Sequence, residues 1–356
     1  MARPDLLRCD DGSIVNSPAL WARRREELLQ AVVPLEYGGM PPAPQSVRSE
    51  LLHEARIRTM AGVTVRSLRV VCELRNEEDP FAFGLRLYMP PGRAPRPAVV
   101  YGDGCWEYLT DPIRWSILSR GYAFAVFNRV ELSADAGDHG RNTGLHRHFP
   151  AQGFGALAAW AWGYQRCVDV LSALPEVDAD RIAITGHSRG GKTVLLAGAT
   201  DERIALTNAN GSGTGGAALY KLRGQGAEPL DQAKIDRIGF WYGRGLADFA
   251  NRADELPFDQ DMLLAAIAPR ALLCTEAEGD LWANPLGTRE CLRRVGAVHQ
   301  ALGVPERLGY HLRPGLHAHA PPDWQVFLDF VDAQFRGTAP PRSYAIPDDP
   351  GLEFML

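Results

Sequence analysis

One short segment of the chain contains a serine in a pattern that could make it a nucleophile. Residues 181–192 read R-I-A-I-T-G-H-S-R-G-G-K and contain G-x-S-x-G with Ser188 at its centre. In such a motif the serine lies on a strained turn between a strand and a helix, and the small flanking residues let the backbones pass closely. The turn exposes the hydroxyl and directs the next helix N-terminus at it, which favours a developing oxyanion. Ser188 is therefore the candidate nucleophile.

The segment has an alternative interpretation as a phosphate-binding loop, because it ends in Gly191, Lys192 and Thr193. The motif can also be a glycine-rich turn with an incidental serine. The context favours the nucleophile, since I-A-I-T before it is strand-like and K-T-V-L-L-A-G-A after it is helix-like.

A serine nucleophile needs a histidine to take its proton. In folds with this strand–serine–helix turn, the order along the chain is Ser, acid, His. His299 lies in a predicted helix and is expected at the surface, and His311 lies in the strand-like segment L-G-Y-H-L-R. His317 and His319 lie in the loop after that segment, before the last predicted helix. We predict that His317 is the base, with His319 as the alternative.

The histidine needs a carboxylate to hold its tautomer, and that acid should follow a late strand of the sheet. The strand-like run A-L-L-C-T is followed by E-A-E-G-D-L-W-A-N-P. Asp280 lies in a Gly-Asp turn a few residues past the run, so we predict that it is the acid. Glu278 is the alternative, followed by Glu276, and any of the three could be a solvated loop charge.

Short apolar runs separated by helical patterns indicate the scaffold. The predicted strands are 64–74, 82–89, 97–104, 122–128, 181–188 and 271–275, and the predicted helices are 17–35, 151–174, 190–200, 259–268, 287–302 and 323–335. Alternation of strands and helices predicts a mostly parallel sheet flanked by helices on both faces. Together with the serine motif, this predicts a single α/β-hydrolase domain over residues 1–356. We expect a lid insertion at about 211–257 and a C-terminal tail at about 337–356.

Composition excludes several classes of protein. The chain has 356 residues, 46% hydrophobic and 23% charged, with a net charge of -5, as in ordinary globular proteins. No basic stripe or long apolar run occurs, so we expect neither nucleic acid nor membrane as a partner. Six scattered cysteines without a CxxC pair predict reduced thiols, no metal and no other cofactor. The N-terminus lacks an apolar stretch, which predicts a cytoplasmic protein. The oligomeric state is not predictable from these features.

At these motifs the chain resembles carbohydrate esterase family 15, the glucuronoyl esterases. The S-R-x-G-K form is more specific than G-x-S-x-G alone. The resemblance covers most of the chain and includes W-A-R-R-R-E-E-L near the start, G-A-L-A-A-W-A-W-G-Y-Q-R-C-V-D-V-L, D-A-D-R-I-A-I-T-G-H-S-R-G-G-K, D-E-R-I-A-L-T-N-A-N-G-S-G-T-G-G-A-A-L, L-P-F-D-Q-D-M-L-L-A-A-I-A-P-R and E-G-D-L-W-A-N-P.

Members of this family cleave the ester that joins glucuronic acid on xylan to lignin alcohols, without a metal. The resemblance implies that Ser188 is the nucleophile and His317 the base, and that Arg189 helps to hold the oxyanion. It also implies that Lys192 contacts sugar hydroxyls and that Trp282 stacks near the sugar. A guanidinium suits the oxyanion role, since it presents a fixed fork of donors. Alternatively, Lys192 is a solvated helix charge and Trp282 a half-buried core aromatic.

The chain departs from the family pattern at two places. Many members carry their acid as Glu where this chain has Gly211, which shifts the predicted role towards Asp280. Fungal members have a Cys before the nucleophile bridged to a Cys beyond the histidine, and the corresponding residues here are His187 and Ala320.

The sequence therefore predicts a serine esterase that uses a Ser-His-Asp triad on a uronic-acid or related carbohydrate ester, as a small molecule or an oligosaccharide. An α/β-hydrolase of other specificity, such as an acetyl esterase, a lactonase or a peptidase, is the alternative. A non-catalytic binding protein on the same fold is a further alternative, because fold alone does not fix function.

Overall fold

A computed structural model of the chain describes residues 4–75, 79–92, 95–106, 108–137, 139–235 and 237–348. The end of the predicted tail, 349–356, lies outside the described residues. The rest of that tail follows the last helix without forming a further helix or strand.

The described residues form a nine-stranded sheet. The strands are β1 Ser46–Ile57, β2 Val63–Glu73, β3 Phe81–Met89, β4 Arg96–Tyr101, β5 Ala123–Phe127, β6 Val177–His187, β7 Leu206–Asn210, β8 Ala271–Ala277 and β9 Leu308–Arg313. Their order in the sheet is β1-β2-β3-β5-β4-β6-β7-β8-β9. The pairs β1/β2, β2/β3 and β3/β5 are antiparallel, and the remaining pairs are parallel. The sheet is mostly parallel, as predicted.

Helices cover both faces of the sheet. They are α1 Pro18–Tyr37, α2 Asp111–Ser119, α3 Ala156–Ser172, α4 Arg189–Thr200, α5 Gln260–Ala265, α6 Pro285–Ala301 and α7 Pro321–Arg336. One buried core joins the sheet to α1, α3, α4, α5 and α6, and a second core joins the opposite face to α2 and α7. This is the three-layer α/β-hydrolase fold that the sequence predicts.

Three elements, β1, β7 and α2, are not in the prediction. Most residues of β1 are exposed at the sheet edge, so the strand lacks the apolar alternation that marks a half-buried strand. Strand β7, L-T-N-A-N, is fully buried, but three of its five residues are polar, so it lacks the continuous apolar run that marks a buried strand. Helix α2 spans only 9 residues, of which three are buried, and this is too short for a clear helical period.

The predicted lid, residues 211–257, forms short helical turns without a strand or long helix in its described part. Several of its side chains belong to the main core, namely Tyr220, Leu230, Phe240, Trp241 and Leu246. The segment therefore packs as part of the domain, and its function as a lid stays a prediction.

All six cysteines are free thiols, and Cys105 is the one of them that is not fully buried. Among the described residues, no helix combines the length and the apolar character needed to cross a bilayer.

Candidate active site

Ser188 lies on a strained turn between β6 and α4. Its backbone adopts φ 57° and ψ -121°, a conformation that L-residues rarely adopt. A Cβ on Gly186 would come within 2.6 Å of the carbonyl carbon of Gly190, and a Cβ on Gly190 within 2.6 Å of Asp103 Cγ. Both positions therefore require glycine. The backbone N–H of Ser188 donates to the carbonyl of Asn210 at 2.8 Å, which fixes the turn to β7.

Lys192 does not extend from this turn as a phosphate ligand would. Residues 186–193, G-H-S-R-G-G-K-T, do fit the letters G-x-x-x-x-G-K-T of a phosphate-binding loop. However, the side chain of Lys192 is 3% exposed, and its Nζ donates to Glu228 Oε2 at 2.8 Å and to the carbonyl of Thr214. The alternative that Lys192 is a solvated charge is wrong, because it forms a buried ion pair.

His317 and Asp280 form a hydrogen-bonded pair across two loops at the carboxyl edge of the sheet. Asp280 follows β8 and His317 follows β9, and Oδ2 of the aspartate lies 2.5 Å from Nδ1 of the histidine. The aspartate side chain is 4% exposed and the histidine side chain 40%. The backbone N–H of Ala283 donates to Oδ1 of Asp280, which fixes the carboxylate. Because Nδ1 faces the carboxylate, Nε2 is left for proton transfer.

The alternative acids have different surroundings. Glu278 is exposed in the loop. Glu276 is buried within β8, where its Oε1 accepts from Thr288 Oγ1 at 3.0 Å, and burial raises its pKa well above the ordinary range. Among these three carboxylates, Asp280 is the one for which the structure gives a hydrogen bond to His317.

The alternative base, His319, lies in the same loop and is buried. Its ring stacks on Trp324 with centroids 4.6 Å apart, and burial lowers its pKa well below 6.5. In the described part of the chain, neither ring nitrogen has a hydrogen-bond partner. His311 lies in β9, as predicted. The prediction that His299 lies at the surface is wrong: it is fully buried, because it shares the inward face of α6 with Val295 and Val298.

Arg189 is the first residue of α4 and is held in place by three side chains. Its guanidinium donates to Asp135 Oδ2 at 2.7 Å and lies over the rings of Trp241, at 4.7 Å, and Trp106, at 5.5 Å. Trp241 Nε1 donates to the other oxygen of Asp135. A guanidinium has five N–H donors, and the bond to Asp135 uses one of them.

Asp103 connects the turn at Ser188 to the buried side chain of Arg129. Its Oδ1 accepts from Arg129 Nε at 2.6 Å, and its Oδ2 accepts from the backbone N–H of His187 at 3.0 Å. Both charged side chains are almost fully buried. The guanidinium also lies 4.1 Å above the ring of Trp160, so the pair is part of the rigid base of the site.

The loop that carries His317 is held by Arg313 at the end of β9. Its guanidinium donates to the carbonyls of Pro314, Leu316 and Ala318, and its Nε pairs with Asp323 Oδ1 at 2.6 Å. The side chain therefore fixes the backbone on both sides of the histidine.

Gly211 lies beside the Asp280–His317 pair, at the end of β7. A Cβ there would be 3.4 Å from both Asp280 Oδ2 and His317 Nδ1, and the residue has φ 51°. The carboxylate that bonds His317 therefore comes from the loop after β8, and the residue that follows β7 lies next to it.

Trp282 is 49% exposed and belongs to none of the hydrophobic core clusters of the described residues, so it is not the core aromatic of the alternative interpretation. Its backbone carbonyl accepts from the N–H of Glu228 at 3.0 Å, which places it next to the Lys192 pair. Sequence reasoning missed Glu228, Asp135 and Arg313. Their spacing from Ser188 follows no motif, and a charged residue in a loop gives no signal of its buried partner.

Several known proteins are similar to this chain in sequence and in structure. The family model for fungal glucuronyl esterases matches residues 72–303. A 4-O-methyl-glucuronoyl methylesterase of Wolfiporia cocos is 30% identical over 327 residues, which span 89% of this chain and 76% of that protein. The structure of a carbohydrate esterase family 15 glucuronoyl esterase from Caldicellulosiruptor kristjansonii matches with a TM-score of 0.86 and 27% identity, covering 99% of this chain and 96% of that one.

A second solved structure is informative about ligands. It is a mutant glucuronoyl esterase from Sporotrichum thermophile in complex with methyl 4-O-methyl-β-D-glucopyranuronate. It matches with a TM-score of 0.78 and 26% identity, covering 95% of this chain and 89% of that one. With the family match over most of the chain, these likenesses show that the protein is a carboxylic ester hydrolase and belongs to carbohydrate esterase family 15, the glucuronoyl esterases.

Proposed function

We propose that this protein hydrolyses esters of 4-O-methyl-glucuronic acid or a closely related uronic acid, with Ser188, His317 and Asp280 as its catalytic triad. The hydrogen bond between Asp280 and His317 carries this proposal, because it joins two residues 37 positions apart in the geometry that a Ser-His-Asp triad needs. The substrate class comes from the relatives that are named as 4-O-methyl-glucuronoyl methylesterases.

In the first half of the reaction, Ser188 Oγ attacks the ester carbonyl carbon and His317 Nε2 takes the hydroxyl proton. Asp280 stabilises the imidazolium that forms. The negative charge that develops on the carbonyl oxygen is stabilised by the first N–H groups of α4 and by the Arg189 guanidinium. When the tetrahedral intermediate collapses, the bond to the alcohol oxygen breaks and His317 returns the proton to that oxygen.

In the second half, water attacks the acyl-enzyme and gives its proton to His317. The bond to Ser188 Oγ then breaks, the serine regains its proton, and the uronic acid leaves. The protein residues named here supply every proton acceptor and donor that these steps need.

The Lys192–Glu228 pair is suited to hold the sugar. A buried ammonium and carboxylate offer donors and acceptors to adjacent hydroxyls, and they are fixed by their mutual bond before a ligand arrives. Trp282 lies next to this pair, since its backbone carbonyl bonds the N–H of Glu228, and its exposed ring can stack on a sugar face. Loss of Lys192 should therefore weaken the binding of a uronate ester much more than that of a simple acetate.

Hydrolysis of benzyl glucuronate beside 4-nitrophenyl acetate, by the wild type and Ser188→Ala, tests the proposal. We expect serine-dependent cleavage of both, with a strong preference for the glucuronate. Preference for the acetate would keep the triad but overturn the uronate substrate. A folded wild type that cleaves neither ester would overturn the proposed activity on these esters.

A cytoplasmic location stays a prediction. Fractionation of the source cells, followed by immunodetection of the protein in the soluble cytoplasmic and the external fractions, decides between the two compartments.

A further inference from the structure

His187, the second residue of the serine motif, has no role in the mechanism above, yet it touches the catalytic histidine. Its ring centroid lies 4.4 Å from that of His317, with the planes tilted by 39°. The residue is buried, and no other side chain between Gly186 and Gly190 is as enclosed. It therefore forms one wall of the space in which the base must keep its orientation.

The ring of His187 is itself fixed by neighbouring strands. Its Nδ1 lies 2.6 Å from Asn210 Oδ1, at the end of β7. Asn210 Nδ2 donates to Thr275 Oγ1 in β8 at 2.9 Å, so the amide oxygen accepts and His187 Nδ1–H donates. The backbone N–H of His187 is bound to Asp103, as described above. Rotation of the ring would break this chain of bonds.

Further rings support His187 from the side of α7. His319 lies 5.7 Å from it with the planes 26° apart, and His319 in turn stacks on Trp324 of α7. The ring of Tyr108 meets His187 edge-on at 5.9 Å. A continuous series of ring contacts thus runs from a buried tryptophan to the catalytic histidine.

His317 needs such support because its loop is exposed. Leu316, the residue before it, is 71% exposed, and the histidine side chain itself is 40% exposed. The bond to Asp280 fixes Nδ1 but still allows the ring to swing about that atom. We propose that His187 is a positioning residue, whose fixed ring limits this swing and keeps Nε2 of His317 directed at Ser188 during both proton transfers.

No proton or bond passes through His187 in this proposal. Burial lowers its pKa, and the neighbouring His317 lowers it further, so the ring stays neutral. It therefore adds no second positive charge next to the imidazolium that forms on His317. The proposal rests on the proposed roles of Ser188 and His317, but not on the identity of the ester.

The test compares His187→Ala, which removes the ring, with His187→Phe, which keeps a ring but loses the bond to Asn210. Both are assayed on benzyl glucuronate and on 4-nitrophenyl acetate. For His187→Ala we expect kcat to fall roughly 10- to 100-fold, with KM changed by less than about threefold, because substrate contacts are unchanged. For His187→Phe we expect a kcat within about fivefold of the wild type.

A merely structural role predicts a different pattern, in which activity falls only as far as the folded fraction falls. Thermal unfolding of each variant, beside the buried control His299→Phe in α6, separates the two. If His187→Ala does not fold, Asn210→Ala replaces it in the test. For Asn210→Ala we expect kcat to fall about three- to tenfold at unchanged KM. A folded His187→Ala or Asn210→Ala with kcat within twofold of the wild type overturns the proposal.

Failure of the uronate substrate would be distinguishable from failure of this proposal. If the wild type prefers the acetate, the same variants can still be compared on that ester. The position of His317 affects the hydrolysis of both esters.

Discussion

The serine turn and the histidine loop position the residues of the proposed triad by different physical means. At Ser188 the backbone decides: Gly186 lies close to the backbone of Gly190, and Gly190 lies close to the Asp103 carboxylate. With β6 on one side and α4 on the other, these approaches leave one conformation for the turn. At His317 side chains decide: a carboxylate from another loop, the Arg313 guanidinium and the His187 ring hold an exposed segment.

This difference predicts that the serine turn tolerates less change than the histidine loop. A backbone turn without space for a Cβ fails as a whole when it is altered. A loop held by several side-chain contacts loses its precision in steps, one contact at a time. Variants in the two regions should therefore differ in kind as well as in size.

The largest effect is expected at the turn. In Gly190→Ala the new Cβ would overlap the Asp103 carboxylate, which is held in place by Arg129. The turn at Ser188 must therefore distort. We expect a loss of more than about 1,000-fold in kcat/KM together with a lower melting temperature.

Gly296→Ala is the matched control for this change. A Cβ at Gly296 would meet Leu308 at an ordinary 3.7 Å, and the residue lies within α6. It should keep full activity and gain up to about 1 kcal/mol of stability, because alanine favours the helix. A Gly190→Ala variant with more than about a tenth of the wild-type activity would contradict the importance that we give to this close approach.

An intermediate effect is expected at the histidine loop. Arg313→Met removes the donors that hold three loop carbonyls, but it does not change the residues Asp280 and His317 themselves. We expect kcat on benzyl glucuronate to fall roughly 10- to 100-fold, because the base is less often in position. Stability should also fall, since Asp323 is left buried without its partner.

Arg307→Met serves as the control, because Arg307 donates to a carbonyl, that of Pro269, outside the loop. Its kcat should equal that of the wild type. Equal kcat values for both variants would show that the loop carbonyls need no arginine.

The smallest effect on activity is expected at His319, the buried histidine of the same loop. Burial lowers its pKa well below 6.5, so below pH 6.5 the unfolded chain binds a proton that the folded protein does not. Stability from this residue is therefore present above pH 6.5 and is lost as the pH falls. His319→Phe should keep kcat within about threefold and should recover about 2 kcal/mol of stability at pH 5 relative to pH 7.5.

Chemical denaturation at the two pH values checks this. Some acid sensitivity should remain, because burial also lowers the pKa of His146, to about 4. A His319→Phe protein as acid-sensitive as the wild type would contradict the assignment of a neutral, unpartnered ring.

The difference between the serine turn and the histidine loop also decides which site residues could be predicted from the sequence. The turn is local, so the G-x-S-x-G pattern and its flanking strand and helix identify Ser188 directly. The regular alternation of buried strands and helices likewise predicted the fold. Asp280 and His317 were predictable only from chain order and from their positions in loops. The preference for them over Glu278 and His319 depends on how far each side chain is buried, and the sequence does not show this.

Two of the residues that sequence reasoning missed have roles that depend on contacts between distant segments. Asp135 pairs with Arg189, Glu228 pairs with Lys192, and each pair joins a loop to α4. His299 was placed wrongly for the same reason. A polar residue in a helix suggests the surface until the packing of that helix against the sheet is known.

The proposed triad depends on an acid from the loop after β8, Asp280, which bonds His317. The most direct test is kcat/KM on benzyl glucuronate for Asp280→Asn beside Glu278→Gln, in proteins shown to be folded. We expect a fall of roughly 100- to 10,000-fold for Asp280→Asn, because the amide stabilises neither the correct tautomer nor the imidazolium. For Glu278→Gln we expect less than about a twofold change. Near-normal activity of Asp280→Asn, or a larger loss in Glu278→Gln, would contradict the proposed triad.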